Sequence, residues 1–317
     1  MGAISKAFIL GAGLGTRLRP ITDHVPKPLI PVRNRPLITY AFDHLIADLG
    51  VEEFAINTHH CPDAYRDAFP DHKYRDRPVY FRHEPVLLDT AGGIDNLRDW
   101  LPTEESFIVY NGDLLTDLPI RAALEQHFRT GDAATLILRS AGEELRVGFD
   151  PATGKVIDLR GVLAPDWPHR YQFTGIYLVS PRFLRYLNPG KIESVVLPFL
   201  EAIKDGRELG GIVIDEGHWG DLGERGAYLD SLTLTEERFP RYGGIPGERI
   251  SAEAVIDPDV IIDSISAVGA GAHIGQGAVI RESIIWANAT VEPASVLHQV
   301  VVRTGETASG TLSGVDV

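Results

Sequence analysis

From residue 10 to residue 31 the chain reads Leu-Gly-Ala-Gly-Leu-Gly-Thr-Arg-Leu-Arg-Pro-Ile-Thr-Asp-His-Val-Pro-Lys-Pro-Leu-Ile-Pro. This stretch follows the apolar run 7–10, which predicts a buried strand. Glycine at positions 11, 13 and 15 removes side chains from the turn after the strand, so that backbone N–H groups can approach a phosphate closely. The pattern therefore predicts a buried strand that leads into an anion-binding loop.

The same loop carries full positive charges at Arg17 and Lys27. Pro26 and Pro28 flank Lys27 and restrict its backbone, because proline fixes its own φ and limits the residue before it. Residues 1–40 contain six basic residues and one acidic residue, a net charge of +5, whereas the whole chain carries −14 and the remainder therefore −19. A basic segment on an acidic protein indicates a site for a small polyanion, since nucleic acid needs a wider basic surface.

Other glycine-rich loops fit this stretch less well. A Rossmann fingerprint needs Gly-x-Gly-x-x-Gly, but Thr16 follows Gly15 here, and no acid ends a second strand about 20 residues later. A Walker loop needs Gly-Lys-Ser/Thr, which is absent. A simple tight turn would explain the glycines, but the full string with Thr-Arg and Pro-Lys-Pro is more specific than the glycines are.

Length and composition set wider limits. At 317 residues with 44% hydrophobic residues, we expect one large or two medium domains with an ample core. The single cysteine, Cys61, excludes an internal disulfide and fits a reducing compartment. The chain has no apolar run of 18 residues, and we expect no signal peptide, because the N-terminal residues lead directly into the predicted strand. We therefore expect a soluble, cytoplasmic protein without nucleic-acid or membrane partners.

The first two thirds of the chain alternate between strand and helix patterns. Strands are predicted at 53–57, 78–82 and 106–110, with helices between them, which is typical of a parallel α/β sheet with crossovers. Asp113 follows the strand 106–110 directly. Because ligands of such sheets bind at the carboxyl ends of strands, we expect the basic loop and Asp113 on one rim.

The last third has a different period. A Pro/Gly-rich linker is predicted at 239–249, after a catalytic domain spanning 1–238. From 250 onward a bulky apolar residue recurs every six positions, and the register slips by one near Trp286. Neither an ordinary strand nor a helix has that period, whereas a hexapeptide-repeat coil does. We predict about three coils over 250–317, with a frayed tail from about 304. The recurring residues are Ile250, Ile256, Ile262, Val268, Ile274, Ile280 and Trp286, then Ile285, Val291 and Leu297.

These motifs give the chain a family resemblance. The glycine loop with its arginine and the later Lys-Pro resemble the signature of the sugar-1-phosphate nucleotidylyltransferases, or NDP-sugar pyrophosphorylases, over roughly residues 5–230. The hexad region resembles the left-handed β-helix of the mannose-1-phosphate guanylyltransferases. The resemblance implies a Rossmann-like α/β fold with a mixed, mainly parallel sheet, followed by a short left-handed parallel β-helix. It also implies a reaction in which an NTP and a sugar 1-phosphate give an NDP-sugar and pyrophosphate, assisted by Mg²⁺ or another divalent cation.

The resemblance further implies roles for particular residues. Arg17, Lys27 and Asp113 would be catalytic, and Asp113 and Asp221 would hold the metal. Taken alone, the two aspartates equally fit a turn cap and a helix cap, and residues 90–92 fit an N-cap. The implied nucleotide-binding residues are Leu10, Gly11, Ala12, Gly13, Gly15, Thr16, Glu84, Thr90, Ala91, Gly92 and Gly112, and the implied sugar-binding residues are Thr174, Gly175, Lys191 and Glu193.

The chain departs from the family pattern at two places. Asp89 stands where many members carry glycine, so the resemblance does not determine which nucleobase is bound. Residues 155–172 lack the Glu-Lys-Pro motif whose lysine holds the sugar phosphate, and we hypothesise that Lys191 replaces that lysine. The N-acetylmuramate-1-phosphate uridylyltransferases also lack the motif, although they have no β-helix tail.

The main hypothesis is thus a nucleotidyl transfer, with GTP and mannose 1-phosphate as the first choice of substrates. The alternatives are uridylyl transfer to another sugar 1-phosphate, and a catalytically silent regulatory subunit that binds an NDP-sugar. An acyltransferase that uses His273 or His298 on the β-helix is less consistent with only three coils. We expect the β-helix to serve homo-oligomerisation or docking on the catalytic domain.

Overall fold

The computed structural model describes residues 3–234, 239 and 246–317. Its α-helices are α1 (Ile38–Leu49), α2 (Pro62–Ala68), α3 (Asp89–Asn96), α4 (Arg121–Thr130), α5 (Val196–Lys204) and α6 (Arg225–Asp230). Short 3₁₀ helices span Thr16–Leu18, Lys27–Leu29, Pro181–Tyr186 and Ser231–Thr233.

The strands of the first two thirds are β1 (Lys6–Leu10), β2 (Pro31–Val32), β3 (Arg35–Pro36), β4 (Glu53–Thr58), β5 (Lys73–Tyr74), β6 (Arg77–His83), β7 (Phe107–Asn111), β8 (Leu114–Thr116), β9 (Ala134–Arg139), β10 (Leu145–Asp150), β11 (Lys155–Leu159), β12 (Arg170–Val179), β13 (Leu209–Val213) and β14 (Trp219–Asp221). Those of the last third are β15 (Val255–Ile256), β16 (Ile261–Ile262), β17 (Ala267–Val268), β18 (His273–Ile274), β19 (Val279–Arg281), β20 (Ile284–Ile285), β21 (Thr290–Val291), β22 (Val296–His298), β23 (Val301–Val302), β24 (Thr307–Ala308) and β25 (Thr311–Ser313).

The chain divides into two compact units. The first unit comprises residues 1–13 and 40–219, and the second comprises residues 14–39 and 220–317. The basic loop therefore belongs to the same unit as the hexad region, although most of the sequence between them lies in the first unit. The predicted boundary at 238 and the linker 239–249 lie partly outside the described residues, so these domain limits stay a prediction.

The first unit is built on a ten-stranded sheet with the order β10-β11-β13-β9-β12-β7-β1-β4-β6-β5. β1 lies between β4 and β7 and is parallel to both, and β6 continues the parallel part beside β4. Phe8 in β1 and Val109 in β7 are fully buried. The predicted α/β fold is confirmed, and this parallel part places the carboxyl ends of β1 and β7 side by side.

The other half of the sheet is largely antiparallel. β12 runs antiparallel to β7, β9 and β10, and β9 pairs in parallel with β13. β10 and β11 are paired antiparallel at the edge of this half. The sheet is therefore mixed, and most of its parallel pairings lie in the half that carries the glycine turn.

The hexad region of the second unit forms three parallel sheets, as the predicted β-helix requires. Their orders are β15-β18-β21-β24, β16-β19-β22-β25 and β17-β20-β23. Val255 pairs with His273, 18 positions later, whereas Val268 pairs with Ile285, 17 positions later. The loss of one residue confirms the predicted slip in the hexad register.

Two details of the hexad region differ from the prediction. Ile285, and not Trp286, belongs to the buried internal cluster; the Trp286 indole donates to the Tyr228 hydroxyl at 3.0 Å instead. The tail predicted to fray forms β24 and β25. The N–H of Arg303 donates to the carbonyl of Val317 at 2.9 Å, so backbone pairing holds the last residues. No helix in the described part of the chain is both long and apolar enough to cross a membrane.

Candidate active site

The turn after β1 begins at a glycine that packing requires. A Cβ at Gly11 would lie 2.7 Å from the Tyr65 hydroxyl and 2.7 Å from a methyl group of Ile56. The Gly11 N–H donates to Asn57 Oδ1 at 2.8 Å, and its carbonyl accepts from the Tyr65 hydroxyl at 2.8 Å. The Gly11 N–H therefore donates inside the protein, whereas the sequence predicted that it would donate a hydrogen bond to a phosphate. Gly13 is different, because a Cβ there would meet nothing within 4 Å and the turn is open.

Asn57 connects the glycine turn to the segment around residue 84. Its Nδ2 donates to Glu84 Oε1 at 2.8 Å, and Glu84 Oε2 accepts the N–H of Leu88 at 3.0 Å. Asn57 is 3% exposed and Glu84 is fully buried. A buried carboxylate with this set of donors is a structural anchor, since a group without access to solvent cannot contact a substrate directly. Glu84, predicted to bind nucleotide, is thus placed behind the site as a positioning residue.

Residues 88–93 are paired with residues 191–195. The N–H groups of Ala91 and Gly92 donate to the carbonyl of Glu193 at 2.9 and 3.2 Å, and the N–H of Glu193 donates to Leu88. Thr90 Oγ1 accepts the N–H of Val195 at 2.8 Å. The segment predicted to contact the base and the segment predicted to contact the sugar therefore support each other. The carbonyl of Glu193 thus accepts two of the amides in the first turn of α3, and residues 90–92 lie inside this helix and not at its N-cap.

A cavity of about 490 Å³ opens beside the glycine turn. It brings together the predicted nucleotide-binding turn, Thr90 and the predicted metal ligand Asp113. A larger depression of about 730 Å³ lies against α5, but Glu193 is the only predicted site residue among the described residues that line it. We regard the smaller cavity as the candidate site, because predicted nucleotide-binding residues and a predicted metal ligand line it together. Its lining residues are Leu10, Ala12, Gly13, Asn57, Leu87, Asp89, Thr90, Asn111, Asp113 and Ile192.

Asp113 reaches this cavity because of its place after β7. The Gly112 N–H donates to the Leu10 carbonyl at 3.0 Å, which ties the end of β7 to the end of β1. Burial, and to a smaller degree the negative charge of Asp113, raise the pKa of Tyr65. The Tyr65 hydroxyl therefore keeps its proton and remains a donor to Gly11. The predicted placement of Asp113 and the glycine turn at neighbouring strand ends is confirmed.

The predicted sugar-binding residues differ from one another in burial and in distance from the cavity lining. Thr174 Oγ1 donates to the carbonyl of Ile137 at 2.8 Å and is buried, so its hydroxyl has a structural role. Gly175 has a φ of +80°, and a Cβ there would lie 2.5 Å from the Asn111 side chain, which lines the cavity. Lys191 is exposed, and its neighbour Ile192 forms part of the cavity wall.

The second unit contains a compact cluster of charges. Lys27 Nζ lies 3.1 Å from Asp221 Oδ1, and Arg17 Nη1 lies 3.1 Å from Glu224 Oε1. Lys27 is only 8% exposed, whereas the Arg17 side chain is 62% exposed. Lys27 is therefore a fixed, largely desolvated charge, and Arg17 is a solvated charge that can change partners at little cost.

Gly223 lies at the centre of this cluster. A Cβ at that position would lie 2.7 Å from Arg17 Nη2, 2.8 Å from Asp221 Oδ1 and 2.9 Å from Lys27 Nζ. Only a residue without a side chain leaves the three charged ends in place. The sequence analysis did not identify Gly223, Glu224 and Asn57 as site residues, although Gly223 lies two positions after Asp221 and Asn57 ends a predicted strand.

The rest of the basic loop is arranged around Gly15. Its φ is +62°, and its carbonyl accepts bonds from the Leu18 N–H at 2.9 Å and from Thr22 Oγ1 at 2.8 Å. Thr16 begins the short 3₁₀ helix that carries Arg17. The local hydrogen bonds thus fix the backbone from which the Arg17 side chain extends.

The predicted ligands of a metal ion are Asp113 and Asp221. Among residues 3–234, 239 and 246–317, no group of three or more His, Cys, Asp or Glu side chains is arranged to hold a metal ion. Asp113 belongs to the first unit and Asp221 to the second. Carboxylate oxygens suit Mg²⁺, which is commonly bound by one or two carboxylates together with substrate phosphates. Each carboxylate thus has the donor chemistry that Mg²⁺ prefers, and their joint role as metal ligands stays a prediction.

Comparison with known proteins places this chain in a class, the sugar-1-phosphate nucleotidyltransferases. The sequence profile of the nucleotidyl transferase family matches residues 6–238. The chain belongs to that family. A solved structure, a UDP-glucose pyrophosphorylase complexed with UDP-glucose, shares the fold with a TM-score of 0.60 at 21% identity, over 72% of this chain and 97% of that one.

Two relatives match almost the whole chain. Mannose-1-phosphate guanylyltransferase 1 of Arabidopsis thaliana is 27% identical over 98% of this chain and 86% of its own length. A UTP–glucose-1-phosphate uridylyltransferase of Synechocystis sp. is 24% identical over 98% of this chain and 90% of its own length. The relatives thus agree on the reaction type and differ in base and sugar.

Proposed function

We propose that this protein transfers GMP from GTP to mannose 1-phosphate, giving GDP-mannose and pyrophosphate. The observation that carries the transfer is the charge cluster around Gly223, which holds Arg17 and Lys27 where glycine leaves room for them. The choice of substrates is supported by similarity to a mannose-1-phosphate guanylyltransferase over 98% of the chain, hexad region included.

The chemistry is an in-line displacement at the α-phosphorus. A phosphate oxygen of the sugar 1-phosphate forms the new P–O bond, and the bond to the departing pyrophosphate breaks. Such transfers depend on positioning and on neutralising negative charge more than on covalent help from the protein. Lys27 supplies a fixed positive charge to the phosphates, and Arg17 exchanges Glu224 for a phosphate group when substrate binds.

The first unit supplies shape. The open backbone at Gly13 and the apolar side chains of Leu10, Leu87 and Ile192 line a cavity that takes the uncharged part of a substrate. We assign Asp113 and Asp221 as ligands of a divalent cation, which would screen the phosphate charge during the displacement. Lys191 remains our candidate for the sugar phosphate; an unchanged Michaelis constant for the sugar phosphate in Lys191→Ala would remove it.

The test is a matrix of the four ribonucleoside triphosphates and dTTP against several sugar 1-phosphates with Mg²⁺, with pyrophosphate release as the readout. The proposal predicts the largest kcat/KM for GTP with mannose 1-phosphate. A preference for UTP with another sugar would favour the uridylyltransferase alternative, which the similarity to the Synechocystis enzyme supports. Absence of release from every pair, despite the intact Arg17 and Lys27, would favour a regulatory NDP-sugar-binding subunit.

A further inference from the structure

One short helix of the second unit, α6, follows the charge cluster directly and contacts the hexad region. It begins at Arg225, the residue after Glu224, and carries Tyr228 three positions later. These two side chains share one face of the helix, because residues three apart are neighbours on a helical surface. Both form hydrogen bonds to residues of the hexad region. The segment that carries the acidic part of the charge cluster is therefore tied to the hexad region.

Tyr228 connects the hexad region to the basic loop. The Trp286 indole N–H donates to the Tyr228 hydroxyl at 3.0 Å, and this hydroxyl donates to the carbonyl of Pro31 at 2.7 Å. The direction of both bonds is fixed, because an indole N–H only donates and a carbonyl only accepts. Tyr228 is fully buried, which raises the pKa of its hydroxyl, so the proton that Pro31 accepts stays in place. Trp286 thus orients the Tyr228 hydroxyl toward Pro31.

Pro31 lies four positions after Lys27 in the chain. Lys27 begins a 3₁₀ helix, and the N–H of Ile30 donates to the carbonyl of Lys27 at 3.2 Å. β2 begins at Pro31, directly after this turn. The segment between Lys27 and Pro31 is short and hydrogen-bonded, and proline restricts its own backbone. A hydrogen bond to the carbonyl of Pro31 therefore limits how far the backbone of Lys27 can shift.

Two further contacts hold the neighbouring elements on the hexad region. Asn34 occupies the turn between β2 and β3, and its Nδ2 donates to the carbonyl of Val268 in β17 at 2.8 Å. On α6, Arg225 Nε donates to Asp316 Oδ1 at 2.8 Å, and the Asp316 side chain is only 8% exposed. The hairpin after the basic loop and the helix after the charge cluster are thus both anchored on the hexad region.

We propose that the hexad region positions Lys27 for its phosphate, with Trp286 and Tyr228 as the positioning residues. Trp286 acts through the Tyr228 hydroxyl and the carbonyl of Pro31, which holds the end of the loop that carries Lys27. The inference rests on the proposed nucleotidyl transfer, in which Lys27 contacts the phosphates. It gives the hexad region a part in turnover itself, beyond the homo-oligomerisation or docking expected from its fold.

The competing explanation is that these bonds only stabilise the second unit. Tyr228→Phe removes the hydroxyl, and Trp286→Phe removes the N–H that orients it, while both variants keep a buried aromatic ring. Ile285→Val is the matched control, because Ile285 is fully buried inside the stack next to Trp286 and loses one methylene group without a change at Tyr228. A role in stability alone predicts that kcat falls in the control as it does in Trp286→Phe.

The first experiment measures kcat of the transfer in each variant, in the wild-type and in the Lys27→Ala background, well below the melting temperatures. A misplacement of about 1 Å can lower a rate by about 10²-fold, so we expect Tyr228→Phe to lower kcat by about 10-fold and Trp286→Phe by a few-fold. Ile285→Val should leave kcat unchanged. In the Lys27→Ala background, Tyr228→Phe should change kcat by less than about two-fold, because its effect passes through Lys27. The same factor in both backgrounds would overturn the inference.

The second experiment follows hydrogen exchange in peptides covering residues 26–37, and it needs no turnover. The amides of Leu29 and Ile30 donate within this segment, and we expect them to exchange several-fold faster in Tyr228→Phe and unchanged in Ile285→Val. If no substrate pair is turned over, the proposed function fails, and the exchange rates still test the link: faster exchange in Tyr228→Phe alone supports it. Exchange that is unchanged in Tyr228→Phe, or equally fast in Ile285→Val, overturns it.

Discussion

The two units handle polar groups in opposite ways. In the first unit, Asn57 and Glu84 are buried and fully engaged with the protein, and they hold the glycine turn and residues 84–88 together. In the charge cluster of the second unit, Arg17, Asp221 and Glu224 are partly exposed, and Lys27 is buried. Buried networks fix shape, whereas partly solvated charges can exchange a protein partner for a phosphate. The comparison predicts that substitutions in the second unit reduce activity without unfolding, and that substitutions in the first unit reduce both.

The largest expected effect is the loss of Lys27. Lys27→Ala removes a fixed charge from the proposed phosphate site. We expect kcat to fall by about 10²- to 10³-fold or more, because removing one preorganised contact to a charged transition state usually lowers kcat by such a factor. Steady-state pyrophosphate release measures the effect. Arg19→Ala is the matched control from the same loop: the Arg19 side chain is 55% exposed and lies 3.5 Å from Asp23, so this substitution should change kcat by less than a few-fold.

The next effect is steric. Gly223→Ala places a methyl group among the ends of Arg17, Lys27 and Asp221, which must move apart, and we expect kcat/KM to fall by about 10- to 100-fold, or about 1–3 kcal/mol in transition-state stabilisation. The displaced atoms are the ends of flexible side chains, so the melting temperature should change by no more than about 2–4 °C.

Gly226→Ala is the control for that substitution, because a Cβ at Gly226 meets nothing within 4 Å. It should leave activity unchanged. Equal activities for Gly223→Ala and Gly226→Ala would show that the position of the charged ends does not matter for turnover.

Asn57→Ala tests the shape-fixing network of the first unit. It removes the hydrogen-bond partner of the Gly11 N–H and of Glu84 Oε1, which should lower the free energy of unfolding by about 1–3 kcal/mol. We also expect a several-fold rise in the Michaelis constant for the NTP, because the glycine turn loses its anchor. Urea unfolding and steady-state kinetics measure the two effects. A loss of stability with unchanged nucleotide kinetics would separate the network from the site.

The smallest effect concerns Glu224. Glu224→Gln removes the acidic partner that competes with phosphate for Arg17, and we expect the Michaelis constant for the NTP to fall by a few-fold. Stability should change by less than about 1 kcal/mol, because the pair is exposed. A higher Michaelis constant would instead show that Glu224 orients Arg17 for its phosphate.

The parts that sequence predicted well are those in which structure follows from local repetition. The hexad spacing predicted the internal stack and its slip before Ile285, because each inward residue is set by its own short strand. The carboxyl-end rule placed Asp113 beside the glycine turn for the same reason: it needs only the end of one strand and the start of one loop. Trp286 was misplaced by one residue because an indole suits the interior equally well on hydrophobicity alone.

The parts that sequence did not predict depend on residues that meet only after folding. Gly11 was expected to serve a phosphate, but its amide is taken by Asn57, 46 residues away. Gly223 becomes necessary only once Lys27 and Asp221 lie together, 194 positions apart in the chain. Ala91 and Gly92 were expected among the nucleotide-binding residues, and the structure adds that their amides donate to the carbonyl of Glu193, a pairing that the sequence did not indicate. No local pattern reports which distant partner will satisfy a given amide.

The central claim is that the chain carries out nucleotidyl transfer with Lys27 as a charge fixed at the phosphates. The most direct measurement follows label from [α-³²P]GTP during incubation with mannose 1-phosphate and Mg²⁺. The account predicts that label enters GDP-mannose only when both substrates are present, and that Lys27→Ala forms this product at least about 10²-fold more slowly. Transfer by Lys27→Ala at nearly the wild-type rate, or no labelled NDP-sugar from the wild type with any sugar 1-phosphate and NTP, would contradict it.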